Sequence, residues 1–247
     1  MLPVVTPAEM KVIDAQATEP EEVLIQRAGY AIANAALRML GGSYGRRVTV
    51  IAGKGNNGQD GKVAAQVLQR RGVRCKICSP GPDVLAQADL VIDAAYGTGF
   101  RDEWEPPPQP SCPVLAVDIP SGIDGLTGED CGSLQAKRTI TFGALKPGLL
   151  LEPGASRAGE IEIADLGLNI EGSRSSLITD QDLAHVLSQR TTTDHTWTNA
   201  VRLIAASPGM IGAAQLAASG ALRAGAGMVV DLIGKMTAPP GDPRTPT

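Results

Sequence analysis

Six short apolar runs punctuate the first two-thirds of the chain: VTVIAG (48–53), RCKICS (74–79), DLVIDAA (89–95), VLAVDIP (114–120), TITFGA (139–144) and EIEIADL (160–166). They are apolar nearly throughout rather than at alternate positions, which is the pattern of strands buried on both faces. Between the first two lies GKVAAQVLQRRG, with apolar residues at 63, 64, 67 and 68 and a stop at Gly72, which is helical spacing. Strand, helix, strand in this order predicts a mainly parallel sheet with cover on both faces, a three-layer Rossmann-like α/β fold. Two helices are expected ahead of it. Thr6 precedes Pro7 with Glu9 three residues on, a capping-box pattern, and EEVLIQRAGYAIANAALRML runs from Pro20 to a stop at Gly41-Gly42.

With 247 residues, 43% of them hydrophobic, the chain can bury one good core. A net charge of -4 with no lysine or arginine block argues against nucleic acid as a partner. An anionic ligand would have to be held by backbone amides and helix dipoles. No run of 18 apolar residues and no signal-peptide layout is present, so the expectation is a cytoplasmic protein with no membrane partner. Cys75 and Cys78 form a C-x-x-C. Inside a strand that spacing sends the two thiols to opposite faces, against a zinc site.

The glycine-rich turns follow the strands. Gly53-Lys54-Gly55-Asn56-Asn57-Gly58 fits the dinucleotide fingerprint, but the second strand ends CKICSPG without the acid that would hold a ribose. No G-K-[ST] closes a phosphate loop either. DAAYGTGFRDE (93–103) and VDIPSGIDGLTG (117–128) end two further strands with acids and glycines. All three loops fall at the carboxyl edge of a parallel sheet, where ligands bind. Oxygen donors dominate there, Asn57, Asp93 and Ser121 among them, and oxygen-only coordination suits a hard cation. The two histidines, His185 and His195, lie far downstream, so proton transfer falls to a carboxylate.

GKGNNGQDGKVAA, DAAYGTGF, VDIPSGIDGLTG and TFGALKPGLL resemble the successive signatures of the NAD(P)H-hydrate epimerase family, the YjeF N-terminal domain. The likeness runs from about residue 4 to residue 168, through TPAEMKVIDAQA and the RAG of the second helix. The resemblance implies interconversion of the R and S forms of hydrated NADH and NADPH (NADHX and NADPHX), with a bound potassium ion. Substrate would meet Asn56, Asn57, Gly58, Gln59 and Asp60 in the first loop. It would also meet Gly97, Thr98, Gly99, Phe100, Arg101, Asp102 and Glu103 in the second, and Asp118. Potassium would sit on Asn57, Asp93 and Ser121, and Asp118, at a strand end and outside that set, is the candidate proton carrier. A homodimer stays open, as does action beside a separate NAD(P)H-hydrate dehydratase.

This chain departs from the family pattern at Gln59, where a second glycine is usual, and at Gln26, where an acid commonly precedes RAG. Its later part, DQDLAHVLSQR and IAASPGMIGAAQLAASGALRAGAGMVV, is similar to the opening of the ADP/ATP-dependent dehydratase domain, without that domain's later GAGD-type motif. The expected organisation is an epimerase domain over 1–170, a truncated strand-helix-strand segment over 171–234 and a disordered tail over 235–247. No dehydratase activity is expected. The substrate carbon bears a hydroxyl beside a ring nitrogen and could invert through an iminium or through ring opening; the sequence leaves both open. A non-catalytic binding or scaffold protein on the same fold is the alternative, and an ordinary NAD-dependent oxidoreductase is disfavoured by the missing ribose acid.

Overall fold

The computed structural model describes residues 1–99, 104–186, 191–205 and 211–231. Its compact units divide between Leu183 and Ala184. The first begins with β1 (Leu2–Val4), α1 (Pro7–Ala15) and α2 (Glu21–Leu40). The expected capping box is formed: Thr6 Oγ1 accepts from the Glu9 amide, and the Glu9 carboxylate accepts from the Thr6 amide. Gly41 ends α2 in the left-handed conformation (φ 66°), which a residue without Cβ adopts at little cost.

Then come β2 (Arg47–Ala52), α3 (Asn56–Arg70), β3 (Arg74–Cys78), β4 (Leu90–Ala94), β5 (Val114–Val117), β6 (Arg138–Phe142), a 3₁₀ turn (Pro147–Leu149), α4 (Gly154–Ala158) and β7 (Glu160–Ala164). The six expected strands form one parallel sheet in the order β3-β2-β4-β5-β6-β7. From β2 the chain crosses first to β3 on one side and then to β4 on the other. The strand order therefore reverses between β2 and β4, and a crevice opens at their carboxyl ends.

Both long helices that cover the sheet lie on one face. Ala28, Ile32, Ala36, Ala64 and Leu68 pack there on Val48, Val50, Ile92, Leu115 and Ile140. The RAG of α2 has a packing reason. A Cβ on Gly29 would stand 2.3 Å from Val63 Cγ1 of α3, so glycine lets the helices approach. Arg27 Nη1 donates to the Leu166 carbonyl at 2.7 Å and ties α2 to the chain after β7. The opposite face is closed by irregular chain carrying Trp104 and Leu134 against Ile51, Val91 and Val114. Cys75 packs toward the first face and Cys78 toward the second, as the strand period predicts. Burial pushes the Cys75 thiol up to about 11, which leaves it a poor thiolate.

β8 (Ser175–Leu177) pairs antiparallel with β1, so residues past 170 add a strand to the first unit. The short α5 (Asp180–Val186) follows. The second unit contains the expected strand-helix-strand: β9 (Ala200–Leu203), α6 (Ile211–Arg223) and β10 (Met228–Asp231), with the strands parallel. The expected tail, 235–247, lies outside the described residues. Among the described residues no helix is long and apolar enough to cross a membrane.

Candidate active site

A cavity of about 570 Å³ opens at the strand reversal, within the usual range for a small-molecule site. One wall is α1 and α2, contributing Met10, Asp14, Glu21, Leu24 and Ala28. Gly55, Asn56, Asn57 and Asp60 enter from the start of α3, and Ala95 to Gly99 from the turn after β4. Asp118, Phe142, Leu166 and Leu168 complete it.

The turn into α3 is possible only with glycines. A Cβ on Gly58 would stand 2.0 Å from the Gly53 carbonyl oxygen, and one on Gly53 would stand 1.9 Å from the Ala95 carbonyl oxygen. Backbone therefore packs on backbone. The first residue outside α3, Gly55, makes no side-chain cap, so the first-turn amides and the positive end of the helix dipole are turned to the cavity mouth.

Beside that turn, Asn57, Asp93 and Ser121 converge. Asp93 is completely buried at the end of β4. Its Oδ1 accepts from Ser121 Oγ at 2.6 Å and its Oδ2 from the Ser121 amide at 2.9 Å. Burial pushes this carboxyl's pKa up, and the hydrogen bonds from Ser121 pull the other way. Asn57 Nδ2 donates to the Tyr96 carbonyl at 2.9 Å, which leaves Asn57 Oδ1 buried with no hydrogen-bond partner. A buried amide oxygen without a donor is costly unless something positive faces it. One carboxylate with neutral oxygens is a donor set that fits a hard monovalent cation.

Asp118 begins the turn after β5 with φ 67°, the one described non-glycine residue in the left-handed region. The turn is fixed by the Asp118 amide donating to the Ile140 carbonyl at 2.7 Å. Lys146 then reaches it from beyond β6. This lysine is fully buried, and its Nζ donates to Asp118 Oδ1 at 2.6 Å, Thr141 Oγ1 at 2.8 Å and the Phe142 carbonyl at 3.0 Å. All three ammonium protons are thus accounted for. Asp118 Oδ2 faces the cavity side, where the Thr98 amide approaches at 3.4 Å.

Of the residues expected to meet substrate, Asn56, Asn57, Asp60, Gly97, Thr98, Gly99 and Asp118 line the cavity. Gly58 is buried behind it against Gly53. Gln59 was expected to add a side chain beside the ligand, but it is exposed and lies with Lys54 and Lys62 on the outer side of α3. The cause is helical phase: residues two apart do not share a face, whereas Asn57 and Asp60 do. Phe100, Arg101, Asp102 and Glu103 lie outside the described residues. Lys146, Asp14 and Glu21 were not anticipated. A lysine in an otherwise apolar stretch, TFGALKPGLL, is the signal that could have found the first.

The signature of the YjeF-related protein N-terminus matches residues 21–87 and 79–148, which spans all three glycine-rich turns, Asp93, Asp118 and Lys146. The chain belongs to this family. A NAD(P)H-hydrate epimerase of Leuconostoc mesenteroides is 33% identical over 212 residues, covering 69% of this chain and 93% of that protein. The bifunctional NAD(P)H-hydrate repair enzyme Nnr of Moorella thermoacetica is 32% identical over 280 residues, covering 91% of this chain and 53% of the relative. The chain thus spans about half the length of such bifunctional relatives. The crystal structure of a yeast protein superposes with a TM-score of 0.52 at 20% identity, over 77% of this chain and 98% of that one. That likeness bears on the fold alone.

Proposed function

We propose that the chain interconverts the R and S forms of hydrated NADH and NADPH, with potassium held by Asn57, Asp93 and Ser121. The observation that carries the reading is a carboxylate, Asp118, presented to the cavity on a left-handed turn and gripped from behind by a buried ammonium. A merely structural aspartate at a strand end needs neither. The free amides at the start of α3 supply the site for the dinucleotide's phosphates, and Leu24, Ala28 and Leu168 supply apolar walls for a flat ring.

The reacting carbon carries a hydroxyl next to a ring nitrogen, and its inversion needs one proton given and one taken. Asp118 is the group this reading places at that proton. Lys146 orients it without competing for the cavity, since every proton of the ammonium is already engaged. A potassium ion, when bound, offsets Asp93 and adds positive charge near the phosphates. A family relative's activity and the cavity's chemistry support the reading together.

The direct test is to mix the protein with (R)-NADPHX and follow the S form by chromatography; no conversion in potassium buffer overturns the reading. With ATP or ADP added, this chain should regenerate no NADPH, since its second unit offers in the described residues only a two-stranded sheet and one helix as regular elements. The cation makes a separate prediction. The melting temperature should be higher in potassium chloride than in tetramethylammonium chloride at equal ionic strength. A ligand that binds only the native state at ten times its Kd adds roughly 1.4 kcal/mol. Asp93→Asn should abolish the difference between the two salts, and identical melting of the parent in both would count against the site.

A further inference from the structure

Several carboxyls border the cavity, and what faces them differs. Asp118 has the Lys146 ammonium at 2.6 Å. Glu21, on α2, accepts from Asn56 Nδ2 at 2.7 Å, and Glu19 pairs with Arg27 at 2.8 Å. Asp14, on α1, is exposed. Asp60 is 7% exposed, lines the cavity from the inner face of α3, and has no hydrogen bond or ion pair with any described residue. A buried carboxyl without a donor is stabilised as the neutral acid. Beside it, within the same cavity, stands a carboxyl that a buried ammonium holds in place at 2.6 Å, which offers one group to give a proton and another to take one.

We propose that Asp60 is the acid that delivers a proton to the substrate's departing hydroxyl, and that Asp118 is the carboxylate that takes the proton of the returning water. This rests on the epimerase reading and divides between two residues what that reading gave to one. In the step, the ring-nitrogen lone pair forms a C=N bond as the ring C–O bond breaks. The Asp60 proton goes to the leaving oxygen, which departs as water. Water then adds to the opposite face, the C–O bond re-forms, the electron pair returns to nitrogen, and the released proton goes to Asp118. Return of that proton to Asp60 through water closes the cycle with no oxidant or reductant consumed.

The groups facing Asp60 agree with a held proton. From the β5 end comes the negative charge of Asp118 with Lys146 behind it; from α1 and α2 come Asp14 and Glu21; Lys54 and Lys62 are exposed on the outer side. Burial first, and the Asp118 charge second, push the Asp60 carboxyl from its ordinary 3.8 up to about 8.

The experiment is kcat and KM against pH for the parent, Asp60→Asn and Asp60→Glu, in potassium buffer. The parent rate should fall about tenfold per pH unit above about 8, as the acid is lost. Asp60→Asn should lose about 10²-fold or more in kcat with a small change in KM, and its residual rate should lack that alkaline limb. Asp60→Glu should recover part of the rate and restore the limb. Stability supplies a second readout. The folded state holds a proton that the unfolded chain releases above its own pKa, so the parent should lose stability as pH rises from about 4 through 8, and Asp60→Asn should lose less. Near-parental turnover in Asp60→Asn, or an alkaline limb that survives the substitution, overturns the assignment. A parent protein that does not epimerise at all overturns instead the reading on which the assignment stands.

Discussion

Asp118→Asn should lower epimerisation by about 10²–10⁴-fold, the usual range for losing one acid-base group. The substitution keeps the shape at a position where shape is restrictive, since φ is 67° and asparagine tolerates the left-handed region as well as aspartate does. The amide oxygen can still accept from Lys146, and the Thr98 contact can persist. What goes is the carboxylate. The loss should therefore fall on kcat far more than on KM, measured by chromatographic separation of the two NADPHX forms. A folded variant with near-normal turnover would remove Asp118 from the chemistry.

The second large effect is on stability, and it comes from Lys146. That ammonium is fully enclosed, and among the described residues Asp118 is its only carboxylate partner. Asp118→Asn strands it without a counter-charge. Removing one partner of a buried pair costs about 3–5 kcal/mol, and the value here should lie at the low end because the amide still accepts a hydrogen bond. Replacing both members by uncharged groups of similar volume is often close to neutral. Lys146→Met added to Asp118→Asn should therefore return most of the lost stability in a denaturant titration, while activity stays low. Additive losses across the cycle would mean that the two side chains are not coupled.

Much of this was legible in the sequence because it depends on short-range pattern. The six strands carry continuous apolar runs, Thr6 and Glu9 stand at capping-box spacing, and Gly41 closes a long helical repeat; each was found where expected. Asn57, Asp93 and Ser121 were legible as oxygen donors at strand carboxyl ends, and their grouping around one cation was what the family resemblance implied; in the structure Asn57 Nδ2 and Ser121 Oγ share the Tyr96 carbonyl, and Ser121 Oγ lies 2.6 Å from Asp93. What was not legible is long-range or against the usual odds. Lys146 meets a carboxylate 28 positions earlier in the chain, and a fully buried lysine is rare. Asp14 and Glu21 reach the cavity only because α1 and α2 lie over it. The three-residue strands β1 and β8 are too short to carry a period, and β1 contains a proline. Gln59 is different: counting 100° per residue from Asn57 would have turned it outward from sequence alone.

Placing both long sheet-covering helices on a single face has a consequence for how a ligand enters and leaves. The α2–α3 wall shares its side chains with the main core, so it can yield only if that core opens. The Ala95–Gly99 wall is held by both packing and polar contacts: Ala95 and Tyr96 join the cluster around Trp104, while Tyr96 bonds to Ser121 and Asn57, and Thr98 to Asp118. Opening free energies within one protein range from near zero at such turns to the global value in the core. Because the polar contacts of this wall end on Asn57, Ser121 and Asp118, the shape of the cavity and the chemistry proposed for it are set by the same side chains.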